Sequence, residues 1–352
     1  MALPDATIQR YRQQQRVSAL ALAEARRLWR RMGREFDASW RQIAPQLVVL
    51  LTGMQQVSAR QALAAVQPTL DELGLRAPAV GRVNVAPLAG VASDGRPLDE
   101  LLYEPVIKAK AAVGAGATVD QALATGGSWL EMAVLTQVAD AGRVAESLGI
   151  VARPRIGGYA RMLNPPSCSR CAVLAGAWYK WNAGFQRHPR CDCVHIPANE
   201  DMLGDLRTDP RDYFNSLDEA EQARVFTKAG AQAIRDGADI GQVVNARTGA
   251  AGLTPAGKRL TAEEARALRG GRDRGHLATR NVYGQQVYTT TEGTTRRGIA
   301  GQRLQHEAGT YKVSGERYSR ARTPRLMPES IYQIAESRED AIRLLRRYGY
   351  II

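Results

Sequence analysis

The sequence predicts a mainly α fold with a small α+β module stapled by zinc. The composition points first to helices. The 352 residues are rich in alanine, leucine and arginine, and aromatic side chains make up only 6%, a mix that favours helix over strand. Long stretches repeat apolar residues at steps of three and four, the period of a helix face. Against this background all four cysteines fall between Cys168 and Cys193, with His188 and His195 beside them.

Taken in order, residues 5–70 read as long helices. Val17, Ala21, Ala25, Leu28 and Met32 mark one apolar stripe, with Arg26, Arg27, Arg30, Arg31 and Arg34 largely off it. Asp37, Ser39 and Trp40 mark a break, and Ile43, Leu47, Leu50, Leu51, Met54 and Val57 continue a second stripe. Both stripes are expected in the core of a helical bundle. Residues 76–97 are a connector, punctuated by Pro78, Gly81, Pro87, Gly90, Gly95 and Pro97. Leu98, Leu101, Leu102, Val106 and Ile107 resume the helical pattern. A longer helix over 119–148 follows, with Trp129, Val134, Leu135, Val138 and Val144 on its apolar face and Gly149 as its C-cap.

The pattern changes at Pro154. Gly157, Gly158, Tyr159 and Met162 read as one short strand, Pro165-Pro166 as a turn, and residues 178–181 as a second strand. The run 197–200 reads as a turn into an acidic segment. Ser216 with Glu219 is a capping box expected to open a helix to about Asp236. Thr261 with Glu264 is another, before a short helix ending at Gly270-Gly271. Residues 275–310, rich in Gly, Thr and Arg, are expected to be irregular or short-stranded. Ser337 with Asp340 caps a last helix, with Ile342 and Leu345 on its apolar side and Gly349 at its end. The domain plan is therefore a helical region over 1–150, a Cys/His module over 151–200, and a helical and irregular basic region over 201–352.

The cysteines carry the chemistry. Cys168 and Cys171 form a C-x2-C pair, and His188-Pro-Arg-Cys191-Asp-Cys193-Val-His195 follows. A C-x2-C turn offers two thiolates to one ion, and a second pair from the far side completes a tetrahedron. Cys168, Cys171, His188, Cys191 and Cys193 are the candidate ligands, with His195 as a reserve ligand or outer support. A closed zinc site needs four of these six. Residues 1–15 lack the apolar core of a signal peptide, and the apolar run 47–51 is too short to cross a bilayer. The expectation is a protein made in a cytoplasm, where clustered thiols bind metal more often than they form disulfides. Structural zinc is preferred to catalytic zinc, because Asp192 is the one acid inside the motif and a strand would turn it away from Cys191 and Cys193.

The run from Cys168 through the aromatic stretch Trp178-Tyr179-Lys180-Trp181 to His188-Pro-Arg-Cys191-Asp-Cys193 resembles the MuF-type head-morphogenesis domain of tailed phages. That family carries a C-x2-C, a short aromatic strand and a His-Pro-x-Cys-x-Cys ending, and all three stand here in order. The likeness covers about residues 118–200. A softer likeness to actinobacterial-phage members lies in residues 289–298 and 343–352. The resemblance implies a minor capsid protein acting near the portal in head assembly, with portal and capsid proteins as partners and a place in the virion. It implies contact with packaged DNA for some members.

Charge fits that implication. The formal net charge is +13 and the sequence pI about 9.9, a balance suited to a polyanion. From Lys258 onward 19 Lys+Arg stand against 10 Asp+Glu, so this stretch carries +9 of the +13. Arg272, Arg274, Arg280, Arg296, Arg297 and Arg303 are the candidate phosphate contacts, without sequence preference. No membrane partner is expected. A capsid maturation protease and a zinc-containing DNA-binding protein are the alternatives. The first lacks a nucleophile-elbow or His-Glu-x-x-His pattern, and its free histidines, His276 and His306, sit in polar loops. The second lacks a recognition helix leaving the Cys/His knot. No catalytic residue is assigned, and the expected mechanism is assembly and contact rather than turnover.

Overall fold

In a computed structural model, the structure describes residues 3–163, 167–183, 191, 193–202, 209–248, 277–282, 285–292, 310–312 and 319–351. The fold is mainly helical with small sheets. The described chain divides into two compact units. One takes in residues 3–163, 176–183, 191 and 193–202, the other 167–175 and the described residues from 209 onward.

The first unit is built on four helices: α1 (Asp5–Trp29), α2 (Phe36–Glu72), α3 (Leu98–Gly114) and α4 (Val119–Val151). Thr118 opens α4 with a full capping box, its hydroxyl accepting from the Gln121 amide while the Gln121 side chain accepts from the Thr118 amide. Helix α4 packs against the other three. The core follows the predicted stripes: Val17, Ala21, Ala25, Leu28 and Met32 of the first are all buried, and Ile43, Leu47 and Leu51 of the second are at most 1% exposed. Leu98, Leu102, Val106, Leu130, Val134 and Val138 join them in one cluster. Val57 and Val144, expected on these faces, are instead exposed, because the buried face passes through Ser58 and Ala59 on α2 and through Ala141 and Ala145 on α4.

Against this bundle lies a three-stranded antiparallel sheet, β1 (Gly158–Arg161), β2 (Trp178–Lys180) and β3 (His195–Ala198), in the order β2-β1-β3. Its apolar residues Ala160, Met162, Val194 and Ile196 cluster with Leu73, with Leu3, Ile8, Tyr11 and Leu75 against them. The first two strands were legible in the sequence; the third takes up Pro197 and Ala198, expected in a turn. Pro197 pairs across from Tyr159 on β1, at the edge of the sheet, the place where a missing amide donor is tolerated.

Gly149 does not cap α4 but lies buried two residues inside it. A methyl there would meet Leu63 at 2.9 Å and Val66 at 3.0 Å, so the residue serves close helix contact. Gly126 is tighter: a methyl would stand 2.6 Å from the Pro105 carbonyl oxygen and 2.8 Å from the Trp29 ring. That ring is pinned by its indole N–H, which donates to the Leu123 carbonyl at 3.0 Å. Gly126→Ala is expected to cost about 1–3 kcal/mol by overpacking, seen as a lower urea midpoint at unchanged slope. An unchanged midpoint would show that α3 and α4 can part there freely.

The second unit contains α5 (Ser169–Leu174), α6 (Pro210–Ser216), α7 (Glu219–Phe226), α8 (Lys228–Arg235), α9 (Ile240–Thr248), α10 (Pro328–Ile334) and α11 (Arg338–Arg347). It also holds an antiparallel sheet of β4 (Leu277–Val282), β5 (Gln285–Glu292), β6 (Thr310–Lys312) and β7 (Ser319–Leu326), ordered β4-β5-β7-β6. Strands of up to eight residues thus occupy a region expected to be irregular or short-stranded. The Ser216–Glu219 box does not form. The Ser216 hydroxyl donates back to the Tyr213 carbonyl, and Asp218 caps α7 by accepting from the Glu221 amide. The expected single helix to Asp236 is broken at Thr227, whose φ of 69° ends α7 and whose hydroxyl caps α8. Ser337 caps α11 as expected, and Gly349 follows its end with φ 72°. Asp236 accepts from the Tyr332 hydroxyl at 2.6 Å and from Arg338 at 2.8 Å. Burial pushes its carboxyl up, yet these bonds and that of Gln232 outweigh it and hold the group below its ordinary value. The Thr261–Glu264 box lies outside the described residues. Among the described residues, no helix is long and apolar enough to cross a membrane.

Candidate metal centre

The Sγ atoms of Cys171, Cys191 and Cys193 lie within 4.8 Å of one another, and all three residues are buried. Four thiolates around zinc at about 2.3 Å would stand roughly 3.8 Å apart. The three sulfurs are thus close to a tetrahedral donor set, one position short. None of the four cysteines is in a disulfide.

Each sulfur is placed by identifiable chemistry. Cys171 sits in the first turn of α5. Cys168 is the N-cap of that helix, its sulfur accepting from the Cys171 amide at 3.4 Å. Cys168 is half-buried and is not one of the three gathered sulfurs. The Tyr213 hydroxyl holds the approach to this turn, accepting from the Ser167 amide and donating to the Ser167 carbonyl, both at 2.8 Å. Arg170 donates to the Asn245 side chain at 2.6 Å.

Cys191 and Cys193 precede β3, and α4 grips the backbone that carries them. The Arg143 guanidinium, 1% exposed, donates to the Cys193 carbonyl at 2.7 Å and to the Cys191 carbonyl. It also pairs with Asp140, whose other oxygen accepts from the Ser93 hydroxyl at 2.6 Å. From β1, Arg161 donates to the Cys191 sulfur at 3.4 Å, which favours negative charge on that sulfur. Sequence reasoning missed both arginines, since an arginine in a helix or strand ordinarily reads as solvated.

His195, held in reserve as a ligand, begins β3, is buried, and is not one of the three gathered donors. Its ring stacks on Tyr159 with centroids 4.0 Å apart, and Nδ1 lies 3.8 Å from Glu146 Oε2. The His195 amide donates to the same Glu146 oxygen at 3.2 Å. Burial pushes the Glu146 carboxyl up, against the pull of Arg10, the His195 amide and Arg143. Burial likewise lowers Arg10, with Glu146 opposing that shift and Arg143 adding to it. The histidine therefore ties the sheet to α4.

Of the other predicted site residues, His188 lies outside the described residues, as do Arg272, Arg274, Arg296, Arg297 and Arg303. Arg280 is placed in the middle of β4 opposite Val287, with its side chain outside the description. Chemically, three buried cysteine sulfurs set close together could hold a soft or borderline cation. No family model, no curated protein and no solved structure matches the chain.

Proposed function

We propose that the chain is a MuF-like minor capsid protein of a tailed phage, acting near the portal in head assembly and contacting packaged DNA. In this reading the Cys/His module is held by structural zinc on Cys171, Cys191 and Cys193, with Cys168 or His188 as the fourth ligand. The observation that carries it is the motif itself: C-x2-C, an aromatic strand, then His-Pro-x-Cys-x-Cys. The aromatic stretch forms β2, and sulfurs from both ends of the motif meet. The donor group among the described residues consists of thiols, with no carboxylate to serve as a base. A donor group of sulfurs without a carboxylate beside it supports a stapling role over a hydrolytic one, because catalytic zinc works with a nearby base.

Mass spectrometry of purified heads from a phage encoding this chain is the direct test. The chain is expected in the particle at low copy beside the portal and capsid proteins. Its absence from particles, with abundant protein in the infected cell, would overturn the assignment.

A further inference from the structure

We infer that the corner joining α1 to α2 is a contact for the phosphate backbone of duplex DNA. This rests on the reading of the chain as a DNA-contacting particle protein, but it places the contact on the helical bundle, far along the sequence from the basic stretch after Lys258.

Arg30, Arg31, Arg34 and Arg41 are all exposed at this corner. Arg31 reaches across to α2, donating to the Gln46 side chain at 3.2 Å, and Arg41 folds onto its own helix, donating to the Asp37 carbonyl at 3.2 Å. The nearby carboxylates are largely committed elsewhere. Glu24 pairs with Arg27 at 2.8 Å, Glu131 with Arg26 at 2.7 Å, and Asp37 with Lys110 at 2.7 Å and the Tyr103 hydroxyl at 2.6 Å. Glu35 is the remaining acid of the corner. From Ala38 to Leu70 α2 carries no acidic residue, and Arg41 and Arg60 are its charged residues there.

The fold accounts for only part of this charge. Cations at the C-terminal end of α1 complement its dipole and would explain Arg30 and Arg31. Arg34, however, stands just before the positive end of α2, where the dipole disfavours it. Arg41 lies five residues into α2, roughly 8 Å along its axis, so the guanidinium groups are spread over a surface rather than focused on one ion.

The neighbouring chemistry favours phosphates over a protein partner. Between Arg30 and Gln46 no large apolar side chain is exposed, whereas a protein interface needs buried apolar or aromatic anchors. Gln42 and Gln46 add neutral donors instead. Guanidinium groups bind phosphate oxygens in a bidentate fork, and a duplex presents one charge per about 1.7 Å of its axis.

The test uses the full chain with R30Q, R31Q, R34Q and R41Q combined, and a short random-sequence duplex followed by fluorescence anisotropy across a salt series. Each lost phosphate contact removes about 0.9 from the slope of log affinity against log salt, so the slope should become shallower by about three to four. The matching quadruple lysine variant should keep most of the slope, because it keeps the charge. Denaturation curves matching the parent confirm that the exposed changes leave the fold intact. A glutamine variant with parental slope and affinity overturns the inference, as does a parent chain that fails to bind duplex DNA, which would assign the corner to an acidic protein surface. Incorporation into heads is read separately, so loss of DNA binding in a chain absent from particles would sink the capsid reading and keep this one.

Discussion

Chelation of the purified protein is expected to release a single zinc per chain and to lower its melting temperature, and Cys191→Ser is expected to do the same permanently. The three strands of the module are only three or four residues long, so metal is expected to hold what packing does not. In zinc-finger peptides the metal contributes about 10–16 kcal/mol at neutral pH. Here α4 and the sheet contacts supply part of the support, so the loss should be smaller but still the largest of any single change. Cys171→Ser should behave alike. Cys168→Ala separates two roles for its sulfur: loss of stoichiometric zinc marks a ligand, while a fall of about 1 kcal/mol with zinc retained marks only the helix cap. Metal-free protein with unchanged melting would refute the stapling role.

Arg143→Met is expected to cost about 3–5 kcal/mol, the range seen when one partner of a buried ion pair is removed. The substitution would leave the Asp140 carboxylate and the Cys191 and Cys193 carbonyls buried without their donor. Outer supports of metal sites also set ligand orientation, and their loss typically weakens binding by about 10–100-fold. Urea unfolding and a competitive chelator titration read the two effects separately. Parental stability together with parental zinc affinity would show that the cysteine loop holds its shape unaided.

The helical core and the first two strands of the module were readable because their signals are local. The stripe Val17, Ala21, Ala25, Leu28 and Met32 has one period and one destination. Local signals failed where a nearby competitor decided the outcome. Ser216 followed by Glu219 fits a capping pattern, but Asp218, two residues later, offers a carboxylate and opens the helix by accepting from the Glu221 amide. The break at Thr227 carries no glycine or proline to announce it. In the later sheet, β5 reads Gln-Gln-Val-Tyr-Thr-Thr-Thr-Glu, whose β-branched residues carry strand propensity without an apolar alternation. The cysteine cluster was legible as a motif, yet its supports were not. Arg143, Arg161 and Glu146 are charged residues whose burial depends on partners at least 30 positions away.

Helix α4 is indexed like a notched rod. Gly126 with Gly127, then Gly142, then Gly149 mark three places where its neighbours press in: Pro105 and Trp29 at the first, Arg10 and Ser58 at the second, Leu63 and Val66 at the third. Sliding the helix by one residue would advance it by about 1.5 Å and turn it by about 100°, driving a side chain into the notches at Gly142 and Gly149 in either direction. Only one setting is open, and that setting aims Arg143 at the cysteine loop. Gly126 lies roughly 26 Å from Arg143 along the axis, yet it helps fix where that guanidinium points. The geometry of the sulfur cluster is thereby set in part by glycines that never approach it.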